Sequence, residues 1–336
     1  MTIIVDAYGG DNAPLEILKG CQMAVEKYGV DIILTGSEEN ILKVSIENGI
    51  SLEHMTIVDA PDVISMEDHP REITKSKKNC SLAVALRLLA EGKGDGFCGA
   101  GSTGATLMGA TLIVKRIKGI KRPAIAPIMP KSKGVIMLCD SGANADCRPE
   151  MLKQFAQMAT VYMEKVIGIK NPRVGLANIG TEDTKGDELR VATFPLLKAA
   201  EGINFVGNVE ARDIPYDACD IIVCDGFTGN IILKMYEGVA GALLDKIKGV
   251  FKKNLKTKLA AAIVLKDMKE MKKELDYNEY GGAPFIGVNK PVFKAHGSSK
   301  AGTFCNAIGQ LVDFIKADVV GEISKAVASE EPAAEE

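Results

Sequence analysis

The stretch CDGFTGNIILKMYEG, residues 224–238, places an acid and an amide inside a glycine-bracketed turn. The apolar run at 221–224 reads as a buried strand, residues 225–230 as a tight turn, and the residues from 231 as the helix that follows. Such a turn aims backbone N–H groups at one point, which suits an anion or a carbonyl oxygen. Asp225 and Asn230 flank that point, with Gly229 between them. A second place of this kind is GAGSTG at 99–104, where Gly101, Ser102, Thr103 and Gly104 open a helix that fits a phosphate or a thioester carbonyl. IGTEDTKGDELR at 179–190 sets Lys185 just before Gly186, beyond a strand end. His296 opens a Gly-Ser turn with Ser298, a poor place for a packing histidine, and Gly9, Gly10 and Asp11 follow the first strand.

Other chemistries lack their residues. No G-x-S-x-G elbow and no G-x-x-x-x-G-K-[ST] loop is present, and three histidines leave little room for a Ser-His-Asp triad. The eight cysteines form no C-x-x-C pair, so reduced, mostly buried thiols are expected, with no metal and no cofactor. GAGSTG also satisfies G-x-G-x-x-G, but a dinucleotide site wants a firm preceding strand and an acid about 20 residues on. Here the preceding DGFC is a weak strand, and residues 96–138 contain no Asp or Glu. An NADP-dependent dehydrogenase using Arg116 or Arg122 is the corresponding alternative.

The elements that would position these groups alternate along the chain. TIIVDA, DIILTGS, MTIVDA, GVIMLCD, RVGLANIG, INFVGNV and IIVCDG read as strands, with helical segments such as PLEILKGCQMAVEKYG and SLAVALRLLAEG among them. That order predicts an α/β fold with a mostly parallel sheet covered on both faces. Ligands in such sheets lie beyond the carboxyl ends of the strands, where the glycine-rich stretches fall. The formal net charge of −3 and the absence of Trp argue against nucleic acid as a partner. No apolar run reaches the roughly 20 residues of a spanning helix, and the opening residues lack the features of a leader segment.

Two segments point outward. Residues 251–276 are Lys-rich and helical in propensity, with Leu255, Leu259 and Ile263 at i, i+4, i+8 and Val264 continuing the apolar side. They read as a helical hairpin at a subunit interface, as a membrane-surface contact, or as both. The acid-free stretch carries Lys115, Arg116, Lys118, Lys121 and Arg122, followed by Lys131 and Lys133. It reads as a solvated basic face or as a dock for an acidic partner.

In their order, VDAYGGDNAP, KKNCSLAVAL, GAGSTGA, RPAIAPIMP, SGANADCRPEML, NIGTEDTKGDEL, CDGFTGNIILKMYEG and YGGAPFIGV with AHGSS resemble the bacterial phosphate acyltransferases over residues 1–325. These are the acyl-acyl-carrier-protein:phosphate acyltransferases of phospholipid synthesis. Tyr8 stands where Met is expected and Ser102 where Asn is expected, the second changing a possible carbonyl donor. The resemblance implies one Rossmann-like α/β/α sandwich of the isocitrate dehydrogenase and phosphotransacetylase kind, with 251–276 as a protruding helical hairpin; the acidic, Ala- and Pro-rich composition of 326–336 reads as a disordered tail. It implies a cytoplasmic homodimer, peripherally associated with the membrane. The reaction it implies moves a long acyl chain from acyl-carrier protein to inorganic phosphate, and a membrane glycerol-3-phosphate acyltransferase uses the product. Phosphate is then itself the nucleophile, which explains the missing triad. The resemblance places Lys185 and Asn230 in the reactive region, Lys185 as a positive charge and Asn230 as an amide donor to the carbonyl oxygen. The basic stretch becomes the dock for the acidic carrier protein. The alternatives are a phosphotransacetylase acting on small acyl-CoA, the dehydrogenase above, and a non-catalytic lipid- or carrier-binding scaffold.

Overall fold

The computed structural model describes residues 1–275 and 281–328. Among the described residues twelve strands form two sheets rather than one. They are β1 (Thr2–Asp6), β2 (Asp31–Gly36), β3 (Met55–Asp59), β4 (Gly96–Gly99), β5 (Ala124–Ile125), β6 (Ile128–Pro130), β7 (Val135–Cys139), β8 (Arg173–Asn178), β9 (Asn204–Glu210), β10 (Ile221–Val223), β11 (Gly282–Ile286) and β12 (Val292–Ala295). The first sheet has the order β3-β2-β1-β4-β12-β11-β5 and the second β6-β7-β10-β8-β9. Pairing is parallel except at β11–β12, β11–β5 and β6–β7. The chain passes from one sheet to the other across residues 126–127, between β5 and β6.

The central strands are apolar runs because both their faces are covered. β4 is short but buried at all four positions, between β1 and β12, so the weak reading of DGFC is corrected. One apolar cluster spans both sheets and includes Val5, Cys98 and Phe293 from the first with Cys139, Leu176 and Val223 from the second. Phe293 meets Phe314 edge-on at 5.4 Å, and Phe314 meets Tyr162 at 5.9 Å. All eight cysteines are free thiols, and burial pushes those of Cys98, Cys147 and Cys219 up to about 12.

The helix after β10 runs Gly226–Lys252 and is followed by Leu255–Ile263 and Leu265–Leu275. The outer helical segment therefore continues an element that starts at the sheet, upstream of residue 251. Asn254 and Thr257 form a reciprocal capping box at its second helix. Residue 276, the end of the expected hairpin, lies outside the described residues. At the other end, Val319–Ala328 is helical, so 326–328 extend a helix, and the rest of the expected tail lies outside the described residues. Among the described residues no helix is long and apolar enough to cross a membrane.

Candidate active site

The carboxyl ends of β1, β4 and β12 bring three predicted stretches into contact. The Asp11 N–H donates to the Gly297 carbonyl at 2.8 Å, and Asn12 Nδ2 donates to the Ser298 carbonyl at 3.1 Å. Gly9 is held so close that a Cβ there would lie 2.5 Å from the Gly101 nitrogen. Gly10 adopts φ +103°, which glycine alone takes readily. Ser102 caps the helix Thr103–Gly109, its hydroxyl accepting the Ala105 N–H at 3.3 Å. The glycines of this region thus serve close packing between loops.

The second sheet contributes the ends of β7 and β10. Asp140 is fully buried and accepts from the N–H groups of Ile125, Ala143 and Asn144 at 3.0, 3.1 and 2.7 Å. It fixes the crossover between sheets to the loop after β7. Burial pushes its carboxyl up despite these donors. The turn expected at 225–230 is already helix: Asp225 is the N-cap, its Oδ1 accepting the Thr228 N–H at 2.9 Å. Burial alone would raise the Asp225 carboxyl, but Thr228 and the Arg190 guanidinium outweigh it and hold the group below the usual carboxylate range. Gly226 N–H donates to the Asn144 carbonyl and Gly229 N–H to the Asp225 carbonyl. Those N–H groups are taken, which corrects the expectation that the turn presents them. Gly229 is needed for another reason: a Cβ would stand 1.9 Å from the Asp140 carbonyl oxygen. Asn230 therefore sits in the second helical turn, over Gly142.

Between these two groups of loops lies a cleft of about 360 Å³. Asp11, Thr103, Asn230, His296 and Gly297 line it, joined by Ser141, Lys234, Glu237 and Lys294. Met66, Ile125, Pro127, Ile128 and Leu233 supply an apolar wall. Lys234 Nζ donates to Glu237 Oε2 at 2.8 Å. His296 Nδ1 faces the Ser298 hydroxyl at 2.8 Å and receives the Ser298 N–H at 3.3 Å. A backbone N–H can only donate, so Nδ1 is the acceptor and neutral His296 carries its proton on Nε2. Burial, then nearby Lys234, lowers the His296 pKa. Burial likewise pushes the Lys294 ammonium down to about 8, against the pull of Cys98, Asp11 and Asp6. The arrangement can hold an anion or a polarised carbonyl at one end and a hydrocarbon chain along the other. None of the eight cysteines lines it.

Other predicted residues lie elsewhere. Lys185 is exposed on the loop after β8 and does not line the cleft, although Arg190 ties that loop's end to Asp225 and Thr228 at the start of Asn230's helix. Gly9, Gly10, Gly101, Ser102, Gly104 and Gly229 pack behind the lining, and Ser298 touches it through His296. Lys115, Arg116, Lys118, Lys121 and Arg122 are all exposed, on a loop anchored by buried Ile117 and Ile120. Lys131 departs from that face: its ammonium is buried against Asp217 and Asp220. Leu255, Leu259 and Ile263 are 79%, 66% and 84% exposed, while Val264 is half-buried at the helix break.

Sequence reading missed Lys294, Lys234, Glu237 and Ser141. The signal for Lys294 was present: a lysine within PVFKA, an otherwise apolar strand, two residues before His296. Strand alternation puts those two side chains on one side.

The sequence matches the family described as Fatty acid synthesis protein over residues 1–322. It is 46% identical over 326 residues to the phosphate acyltransferase of Clostridium acetobutylicum, covering 97% of this chain and 98% of that one. A phosphotransacetylase from Staphylococcus aureus shares the fold at a TM-score of 0.62 and 15% identity, covering 94% of each chain. A phosphotransacetylase from Streptococcus pyogenes does so at 0.57 and 17%, covering 98% of this chain and 94% of that one. The Rossmann-like α/β/α architecture expected from the sequence agrees with these folds.

Proposed function

Since the chain belongs to the phosphate acyltransferase family and is an acyltransferase, we propose that it transfers a long-chain fatty acyl group from acyl-carrier protein to inorganic phosphate. The acyl phosphate formed would serve phosphatidic acid synthesis. One observation carries this reading: the cleft joins a cationic, amide-bearing end to an apolar wall and holds no cysteine nucleophile. Ser141, the serine that lines it, donates its hydroxyl to the Ile125 carbonyl at 3.1 Å.

Phosphate attacks the thioester carbonyl directly, so the site's task is to hold the two in line and to stabilise the oxyanion. Asn230 donates its amide N–H to the carbonyl oxygen. Lys185, from the exposed loop tied to the same helix, supplies a positive charge to the phosphate or the oxyanion. The leaving thiol, with a pKa of roughly 8.5, departs as thiolate with little help. His296, with Ser298 behind it, contacts the phosphate or protonates the departing thiolate, and Asp11 and Thr103 lie on the substrate side.

The surfaces fit the partners. The exposed basic loop at 115–122 suits the acidic carrier protein. Lys118→Glu with Lys121→Glu is expected to raise KM for acyl-carrier protein and to leave a small acyl thioester unaffected; equal loss on both donors contradicts docking there. Phe227, Ile231, Met235, Val239 and Leu243 form an exposed apolar stripe at four-residue spacing, which supports a homodimer. Met235→Lys with Val239→Lys should yield a monomer in sedimentation equilibrium, and an unchanged mass would reject that interface. The apolar residues at 255, 259 and 263, flanked by lysines, support peripheral contact with a membrane from the cytoplasm, near the glycerol-3-phosphate acyltransferase that takes the product.

The reaction is tested by trapping acyl phosphate with hydroxylamine. Palmitoyl-acyl-carrier protein should give phosphate-dependent hydroxamate, and acetyl-CoA far less. Equal or better turnover of acetyl-CoA would assign the chain to small-acyl phosphotransacetylase chemistry. Tight carrier-protein binding without product would assign it to a scaffold.

A further inference from the structure

Lys294 is the cleft's unexplained charge. It lies in β12, is only 9% exposed, and lines the cleft. Its Nζ donates to the Ala100 carbonyl at 3.0 Å and the Ala295 carbonyl at 2.5 Å. Those carbonyls belong to the ends of β4 and β12, so the ammonium sits where two of the glycine-bearing loops begin. An ammonium has three N–H donors, and the two carbonyls take two of them. Among the described residues no carboxylate stands within ion-pair distance of it.

Lys131 shows how this molecule neutralises a lysine that only stabilises the fold. Lys131 Nζ meets Asp217 and Asp220 at 2.9 Å each and the Cys219 carbonyl at 2.8 Å, using all three donors and two countercharges. A buried charge without a countercharge is costly unless a ligand supplies one. Lys294 keeps a donor for an anion and opens onto a cleft large enough to hold one.

We propose that Lys294 is a phosphate-binding residue, its third N–H and its charge receiving inorganic phosphate at the polar end of the cleft beside His296 and Thr103. This inference rests on the acyl-transfer reading and names a cation that the reading itself does not require. The charged and titratable groups facing Lys294 are Asp6 from β1, Asp11 after it, Cys98 from β4, Lys234 and Glu237 from the helix after β10, and His296. Burial holds Cys98 at about 12 and His296 below its usual value, so neither changes charge between pH 7.5 and 9. In that window the loss of the ammonium governs anion affinity.

The test is calorimetric titration of the full-length protein with inorganic phosphate. Wild type should bind, with affinity falling as pH rises above about 8. Lys294→Met should bind at least tenfold more weakly at pH 7.5. Lys294→Arg, whose charge persists, should move the fall to higher pH. Phosphate bound by Lys294→Met as tightly as by wild type would overturn the proposal. A wild-type affinity that stays flat from pH 7.5 to 9 would also overturn it, and that measurement needs no variant to fold. Lys294-dependent phosphate binding without acyl phosphate from any thioester would leave this site standing and remove the reaction. Acyl phosphate formation with an unaltered phosphate constant in Lys294→Met would do the opposite.

Discussion

Two buried lysines in this molecule are kept in opposite ways. Lys131 is 3% exposed and clamps Asp217 and Asp220 at the edge of the second sheet, where Arg173 grips the same two acids. Lys294 is nearly as buried, yet it holds two neutral carbonyls and faces a cleft. Burial opposes the charge of Lys294 and pushes its pKa down to about 8. For Asp220, burial is outweighed by Arg173 and Lys131, which hold its carboxyl far below the usual range. The partner of a buried charge, rather than its burial, separates a brace from a site.

Lys131→Met should cost the largest amount of stability, roughly 3–5 kcal/mol, because it leaves Asp220 buried with one partner fewer. Urea unfolding measures this, and the folded fraction should keep its specific activity. A loss below about 1 kcal/mol would remove the contrast with Lys294.

Lys294 should appear in the pH dependence of stability. Its folded pKa lies below the ordinary value of 10.5, so the fold disfavours the charged form. That cost is fully present below pH 8 and is relieved as pH rises toward 10.5. Wild type should therefore gain roughly 3 kcal/mol relative to Lys294→Met across that window. Parallel stability curves for the two proteins would show that Lys294 is not held as an uncompensated charge.

The smallest effect on stability belongs to the outer helices. Leu259→Glu with Ile263→Glu should change unfolding by no more than about 0.5 kcal/mol, because both side chains are exposed. The same variant should lose co-sedimentation with anionic vesicles. Unchanged sedimentation would return the segment to contact between protein subunits.

Much of the fold was legible in the sequence. Apolar runs such as TIIVD and VIMLC, too short for a helix and followed by turn residues, read as buried strands, and the glycine-bearing stretches fall at their carboxyl ends as parallel sheets require. The division into two sheets was not legible, because it depends on a crossover between β5 and β6, two strands of two and three residues. The site was legible in part. Asp11, Thr103, Asn230 and His296 converge on one cleft, while Lys185 stays on an exposed loop outside it. The glycines at 226 and 229 misled the reading of the turn. They permit contact with the 140–144 loop inside a helix, a need that local patterning cannot distinguish from a bend. Lys294 was visible as a lysine in the apolar run PVFKA, but its role depends on the absence, among the described residues, of a carboxylate partner, which only the packing around it shows.

Acyl transfer in this cleft, as proposed, relies on Asn230 to stabilise the oxyanion. The most direct measurement is kcat for acyl phosphate formation by Asn230→Ala at saturating palmitoyl-acyl-carrier protein and phosphate, with the melting temperature measured alongside. The expected result is a fall of about 10²–10³ in kcat with an unchanged melting temperature. Undiminished turnover in a folded Asn230→Ala protein would place the chemistry elsewhere.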